Sequence, residues 1–186
     1  MRSELTRLET DPSVIYCLDS NLKITYSNAA WDNFAIQNKG AHLARPGHLG
    51  LALTDFVAPP LRQFYASAFQ DVLRTTQPWE HVYECSSPSV LRRFHMRASM
   101  MPRQNELMIV NTVIEEGPML RAEANSAYAA DDYRDKDGLV SMCANCRRTR
   151  RPGQTVWDWI PAHVASIPIK TTHGLCGPCL LIYSRL

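Results

Sequence analysis

Two Cys-x-x-Cys pairs, Cys143 with Cys146 and Cys176 with Cys179, hold four of the six cysteines and constrain the C-terminal part of this chain more than any other feature. Each pair turns two sulfurs to one side of a tight loop, and two such loops facing one another make a closed tetrahedral four-thiolate site of the kind that suits structural zinc. Four thiolates also fit an iron–sulfur cluster, and two disulfides or a redox thiol pair are the remaining readings. Neither pair is followed by His, so the c-type haem attachment pattern is absent. Twenty-nine residues separate Cys146 from Cys176, against roughly 15–20 in the commonest spacing. The intervening segment must therefore fold rather than merely close a loop. His173 stands three residues before Cys176 and reads as a group that packs beside the ligands, because four sulfurs already fill the site.

A segment as short as 139–186 needs such a staple, since an isolated core of that size is marginal without metal, disulfides or docking. Trp157, Trp159, Ile160, Val164 and Leu175 supply its apolar material. The charge is uneven. The whole chain carries +2, whereas residues 139–186 alone carry +5 and the remainder −3. Arg147, Arg148, Arg150 and Arg151 would offset the formal charge of about −2 on a zinc tetrathiolate. Contact with nucleic-acid phosphates or with a partner protein is the alternative use of the same four side chains.

With 186 residues and 45% apolar content, the chain has material for one full core and a small appendage. It has no run of about 18 apolar residues, so no membrane span is expected. The opening MRSELTRLET is polar and lacks the apolar stretch of a secretory signal. The expected location is the cytoplasm, where paired cysteines hold metal more often than they form disulfides. Cys17 and Cys85 stand alone in alternating apolar segments and read as buried small residues.

The N-terminal part reads as α+β. Leu5 and Leu8 have helical spacing, a short flanking segment over residues 1–10 that could serve as a dimer contact. Val14, Tyr16 and Leu18 alternate as a strand; Asp19-Ser20-Asn21 is turn chemistry, and Leu22, Ile24 and Tyr26 continue as the partner strand of a hairpin. Asn28 then caps a helix carrying Trp31, Phe34 and Ala35. After a loop rich in Gly, Pro and His, Pro59-Pro60 opens a longer helix whose stripe Leu61, Phe64, Tyr65, Ala68, Phe69 and Val72 has 3.6-residue rhythm. Strands are expected at 79–86, 91–101 and 107–114. Residues 116–138 read as a connector, and 139–186 as the cysteine-pair subdomain. The sum is a five-stranded antiparallel sheet with helices on one face, plus a small four-cysteine, metal-stapled subdomain.

VIYCLDSNLKITYSNAAWDNFA, from Val14 to Ala35, resembles the opening of PAS domains through its hairpin, its Tyr26-x-Asn28-x-Ala30 step and the aromatic-rich helix that follows. DFVAPPLRQFYASAFQDVL, from Asp55 to Leu73, resembles their long helix. The resemblance covers residues 11–115. The tail, with MCANCRRTRR, WDWIP and HGLCGPC, is similar to an extension found behind some bacterial PAS and receiver domains. The resemblance implies a signalling or sensory module that binds a small ligand or pairs with a partner protein, itself included. A ligand core would lie around Tyr16, Trp31, Phe34, Phe56, Phe64 and Met96. The flavin photosensors of the family use a reactive Cys in the helical region, and this chain has no cysteine between Cys17 and Cys85. A haem reading rests on His42 or His48, because the long helix contains no His.

No Gly-rich phosphate cradle occurs, and no Cys or His spacing marks a nucleophile and its base. A four-cysteine site leaves no open position for a catalytic water. The chain is therefore read as a sensory or interaction module rather than an enzyme. A nucleic-acid-binding regulator using Arg147, Arg148, Arg150 and Arg151 is the alternative. A thiolate-based redox or metal sensor is a third reading.

Overall fold

The computed structural model describes residues 2–101, 105–119 and 130–184, with side chains in the first helix described from Thr6 onward. Leu5 and its proposed dimer role lie outside the described side chains, as does much of the connector. The chain forms two compact units that interleave along the sequence. The first takes Met1–Val57, Arg62–Tyr83 and Phe94–Ile114; the second takes Ala58–Leu61, Glu84–Arg93 and Glu115–Leu186.

Five strands, β1 (Val14–Leu18), β2 (Ile24–Ser27), β3 (Trp79–Glu84), β4 (Val90–Met101) and β5 (Glu106–Pro118), form one sheet in the order β2-β1-β5-β4-β3. β1 is antiparallel to both neighbours, with Tyr16 facing Ser27 on β2 and Ile109 on β5. Helices α1 (Arg2–Thr10), α2 (Ala29–Gln37) and α3 (Pro59–Thr75) complete this part. Strand alternation on β4 matches the expected faces: Phe94, Met96 and Ala98 are buried, while Arg93 and Arg97 are exposed. Of the helical stripe on α3, Leu61, Tyr65, Ala68, Phe69 and Val72 are buried and Phe64 is half-buried.

The hairpin turn departs from the expected strand at Leu22. The Asp19 carboxylate accepts the N–H groups of Asn21 and Lys23 at 2.8 and 2.9 Å, which tightens the turn. Leu22 then takes a left-handed φ of 58°, and its side chain, 5% exposed, is held there by burial. β5 also runs past its expected end at Ile114, through Glu115 and Glu116. These acids meet Arg93 at 3.1 Å and Arg92 at 2.5 Å across the strand pair, so charge pairing replaces apolar alternation as the signal for the extension.

Asn28 joins sequence to tertiary structure at one point. It is fully buried, and its Oδ1 accepts from the Trp31 N–H at 3.2 Å as the helix cap and from the Ile15 N–H on β1 at 3.1 Å. Its Nδ2 donates to the carbonyls of Leu8, Asp11 and Ser13 at 3.1, 3.2 and 2.9 Å. α1 gains a second tie at Glu9, which accepts from the two terminal guanidinium nitrogens of Arg45 and from the Tyr26 hydroxyl. Arg45 in turn reaches Asp32 on α2 at 2.7 Å.

The second unit has its own sheet, β8-β7-β6-β9, built from β6 (Val140–Cys143), β7 (Thr149–Arg150), β8 (Trp157–Asp158) and β9 (Thr171–Gly174). β6 and β9 run parallel, and parallel strands need a crossover of a dozen or more residues. β7, β8 and α4 (Pro161–Ala165) provide it, which explains the long interval between the cysteine pairs. Pro161 opens α4 and Pro178 lies in the first turn of α5 (Gly177–Tyr183), where a missing N–H costs nothing. The core of this unit includes Tyr133, Val140, Met142, Trp159, Ile160 and Val164, with the polar Thr149 and His163 among them. Thr149 Oγ1 and His163 Nδ1 satisfy each other at 3.1 Å. Tyr133 donates to Asp158 at 2.6 Å, and Arg151 grips the same carboxylate. Among the described residues no helix is long and apolar enough to cross a membrane.

Candidate metal centre

The first cysteine pair sits on a turn between antiparallel strands. Cys143 ends β6, its N–H donates to the Arg148 carbonyl at 2.8 Å, and the Arg147 N–H donates back to the Cys143 carbonyl at 3.1 Å. Arg147 takes a left-handed φ of 60° to close this turn, which leaves Cys143 and Cys146 on its inner side. The second pair lies at the start of α5. Cys176 precedes the helix in extended conformation, and Cys179 belongs to its first turn. The parallel register of β6 on β9 sets Cys143 against Gly174, two residues before Cys176, and so draws the two pairs together.

All four cysteines are free and buried, and their Sγ atoms lie within 4.8 Å of one another. Cys146 and Cys176 are 3.6 Å apart at sulfur. That separation excludes an S–S bond, which needs about 2.05 Å. It matches the roughly 3.8 Å edge of a tetrahedron whose ion–sulfur distance is about 2.3 Å. The donor set therefore fits a thiophilic ion. Cys143 Sγ accepts the Cys176 N–H at 3.5 Å, and Cys179 Sγ accepts Asn145 Nδ2 at 3.3 Å. Crowding acts on the protons. S–H donation from its three neighbours holds Cys143 well below the usual thiol range, whereas Cys146 and Cys179 are pushed up by sharing a proton with the charged sulfur. Four thiolates cannot coexist here without a cation, and an arriving cation displaces the shared protons.

Trp157 and Leu175 pack against the cluster. His173 lies on β9 opposite Met142, half-buried, its pKa lowered by burial and by Arg147 while Cys143 acts in the opposite sense. Of the four arginines, Arg151 is committed to Asp158 at 3.2 Å and Arg150 to the Gln154 carbonyl at 2.7 Å. Arg147 acts electrostatically on both His173 and Cys85. Sequence reasoning missed Asn145, whose only signal was its place inside the first Cys-x-x-Cys.

In the first unit Tyr16 and Met96 are buried, Trp31, Phe34 and Phe64 are half-buried, and Phe56 is 37% exposed in a 3-10 turn (Leu53–Phe56) whose buried side chain is Leu53. Tyr16 meets Trp31 edge-on at 5.2 Å, and Phe34 meets Phe94 at 5.7 Å. His42 is exposed. His48 is fully buried, stacked on Trp31 at 4.7 Å and bonded through Nε2 to Ser27 Oγ at 2.9 Å. Cys17 is buried with its sulfur 3.7 Å from Met101 Sδ; Cys85 is half-buried.

His81 carries a pH prediction. Its ring stacks on Trp79 at 5.4 Å and packs against Phe64 at 5.0 Å, and burial lowers its pKa from 6.5 to about 4. Between those values the unfolded chain binds the proton more readily than the folded one. Stability therefore falls as pH drops from 6.5 towards 4, by about 1–2 kcal/mol after discounting for partial solvent access. Urea titrations at pH 7 and pH 4.5 should show this loss in wild type, with His81→Phe removing that part of the difference.

No protein-family model matches the sequence, and no curated protein is similar to it. Similar solved structures include the PAS domain of a Colwellia psychrerythraea protein, at 9% identity over 61% of this chain and 95% of that one, TM-score 0.48. The PAS domain of the Cronobacter turicensis RpfR quorum-sensing receptor, in complex with C12:0, is 17% identical over 56% and 96%, TM-score 0.42. The phage VqmA–DPO complex is 13% identical over 61% and 52%, TM-score 0.45, so this chain matches about half the length of VqmA. The sheet order of this chain is β2-β1-β5-β4-β3, with α2 and α3 lying between β2 and β3 in the sequence. This protein combines that five-stranded sheet with a buried four-cysteine cluster.

Proposed function

We propose that this chain is a sensory or regulatory PAS-type module whose C-terminal unit is built around a structural zinc ion held by Cys143, Cys146, Cys176 and Cys179, and offers a surface to a signalling partner. The observation that carries the reading is the convergence of four buried sulfurs within 4.8 Å. A closed set of four sulfurs favours a structural over a catalytic ion, because no position remains for water. The arginine placement tells against phosphate binding, because Arg150 and Arg151 already have partners within the unit.

Elemental analysis with a visible spectrum tests this. The expected result is one zinc per chain and no visible absorption. Iron with absorption near 400 nm would replace zinc by an iron–sulfur cluster or haem, and metal-free protein with the same fold would remove the reading.

A further inference from the structure

We propose that Asn145 is a positioning residue that ties the metal centre to the end of strand β3, through one side-chain amide that serves a ligand sulfur and a backbone N–H together. The inference rests on the reading of the four thiolates as metal ligands. Asn145 Nδ2 donates to Cys179 Sγ at 3.3 Å. Its Oδ1 accepts from the Glu84 backbone N–H at 3.3 Å and from the Tyr183 hydroxyl at 3.0 Å. Three elements of the second unit thus meet on one half-buried side chain: the Cys143–Cys146 turn, the last turn of α5, and the segment Glu84–Arg93.

The partners fix the orientation of the amide. A metal-bound thiolate only accepts and a backbone N–H only donates, so the flipped amide would oppose like groups at both ends. β3 is an edge strand of its sheet, and an edge strand presents N–H groups that no neighbouring strand satisfies. The Cys85 N–H turns inward to the Arg92 carbonyl. The adjacent Glu84 N–H turns the other way, and Asn145 caps it. Hydrogen bonds to ligand sulfurs orient the ligand and tune the metal. With the ion in place Cys179 is fixed, Asn145 is fixed against it, and Glu84 inherits that order. Loss of the ion frees the sulfur and with it the cap. Occupancy of the centre is thereby legible at the end of β3.

The test uses the full chain with Asn145→Ala and Asn145→Asp. Zinc affinity is measured by competition with a chromophoric chelator, the sulfur-to-metal charge-transfer band in the cobalt(II) form, and amide hydrogen exchange at Glu84. Asn145→Ala is expected to weaken zinc binding about 10-fold, to shift the cobalt band, and to speed Glu84 exchange at least as much. Asn145→Asp keeps an acceptor for Glu84 but has no donor for sulfur, so it should shift the band and weaken binding while sparing Glu84. For Asn145→Ala, a cobalt band and Glu84 exchange that both stay at wild-type values would overturn the inference, as would a change in only one of the two in that variant. A wild-type chain that takes up neither ion ends the metal reading and this inference with it. Metal-loaded wild type with unmoved variants ends this inference alone.

Discussion

Cys143→Ser is expected to unfold the C-terminal unit while the first unit keeps its near-UV signal and its cooperative melt. Cys143 is 1% exposed and lies at the meeting point of β6, the β6–β7 turn and the cysteine pair at the start of α5. The sheet around it is slight. β7 and β8 are two residues each, and α4 has five. Structural zinc in small peptides contributes an apparent 10–16 kcal/mol at neutral pH, about as much as the whole net stability of an ordinary domain. Removing one of four ligands leaves three buried thiols, a serine hydroxyl and a weakened ion, and the short elements have nothing else of that size to hold them. Trypsin reports the outcome directly, because Arg147 and Arg148 are only partly exposed in the folded unit. Cleavage there should become rapid in Cys143→Ser and in wild type treated with a strong chelator. A variant as resistant as the untreated wild type would mean that the sulfurs do not organise this unit.

Asn28→Ala should destabilise the first unit by about 3 kcal/mol. Loss of the helix cap accounts for about 1 kcal/mol. The Ile15 N–H and the carbonyls of Leu8, Asp11 and Ser13 then lose partners in a buried place, which adds about 1–3 kcal/mol. Asn28→Asp separates the contributions. An aspartate keeps the cap but sets a carboxylate against three carbonyl oxygens, so it should be at least as destabilising as alanine despite being a good N-cap residue. Thermal denaturation followed in the near-UV measures both, with an expected drop of about 10 °C or more. Wild-type stability in Asn28→Asp would show that the Nδ2 contacts matter little.

The parts of this structure legible in the sequence are those encoded locally. Period-2 alternation located β4, the 3.6-residue stripe located α3, and Pro161 and Pro178 marked the starts of α4 and α5. The cysteine spacing was enough to expect convergence, since two short loops with paired sulfurs have few other uses. Non-local pairing was not legible. The parallel contact of β6 with β9, which sets Cys143 against Gly174, leaves no mark in strands of four residues that lack alternation. Asn145 is equally silent, because its three partners lie 34, 38 and 61 positions away. His48 sits in a loop with no periodicity, and only the fold brings it onto Trp31. Phe56 groups with the core aromatics in the sequence; in the structure it is 37% exposed, and the 3-10 turn that carries it buries Leu53.

X-ray absorption at the zinc edge of the purified, unlabelled chain tests the central claim most directly. The account predicts a first shell of four sulfurs at about 2.3 Å with no lighter neighbour. A shell containing nitrogen or oxygen at about 2.0–2.1 Å, or fewer than four sulfurs, would contradict it.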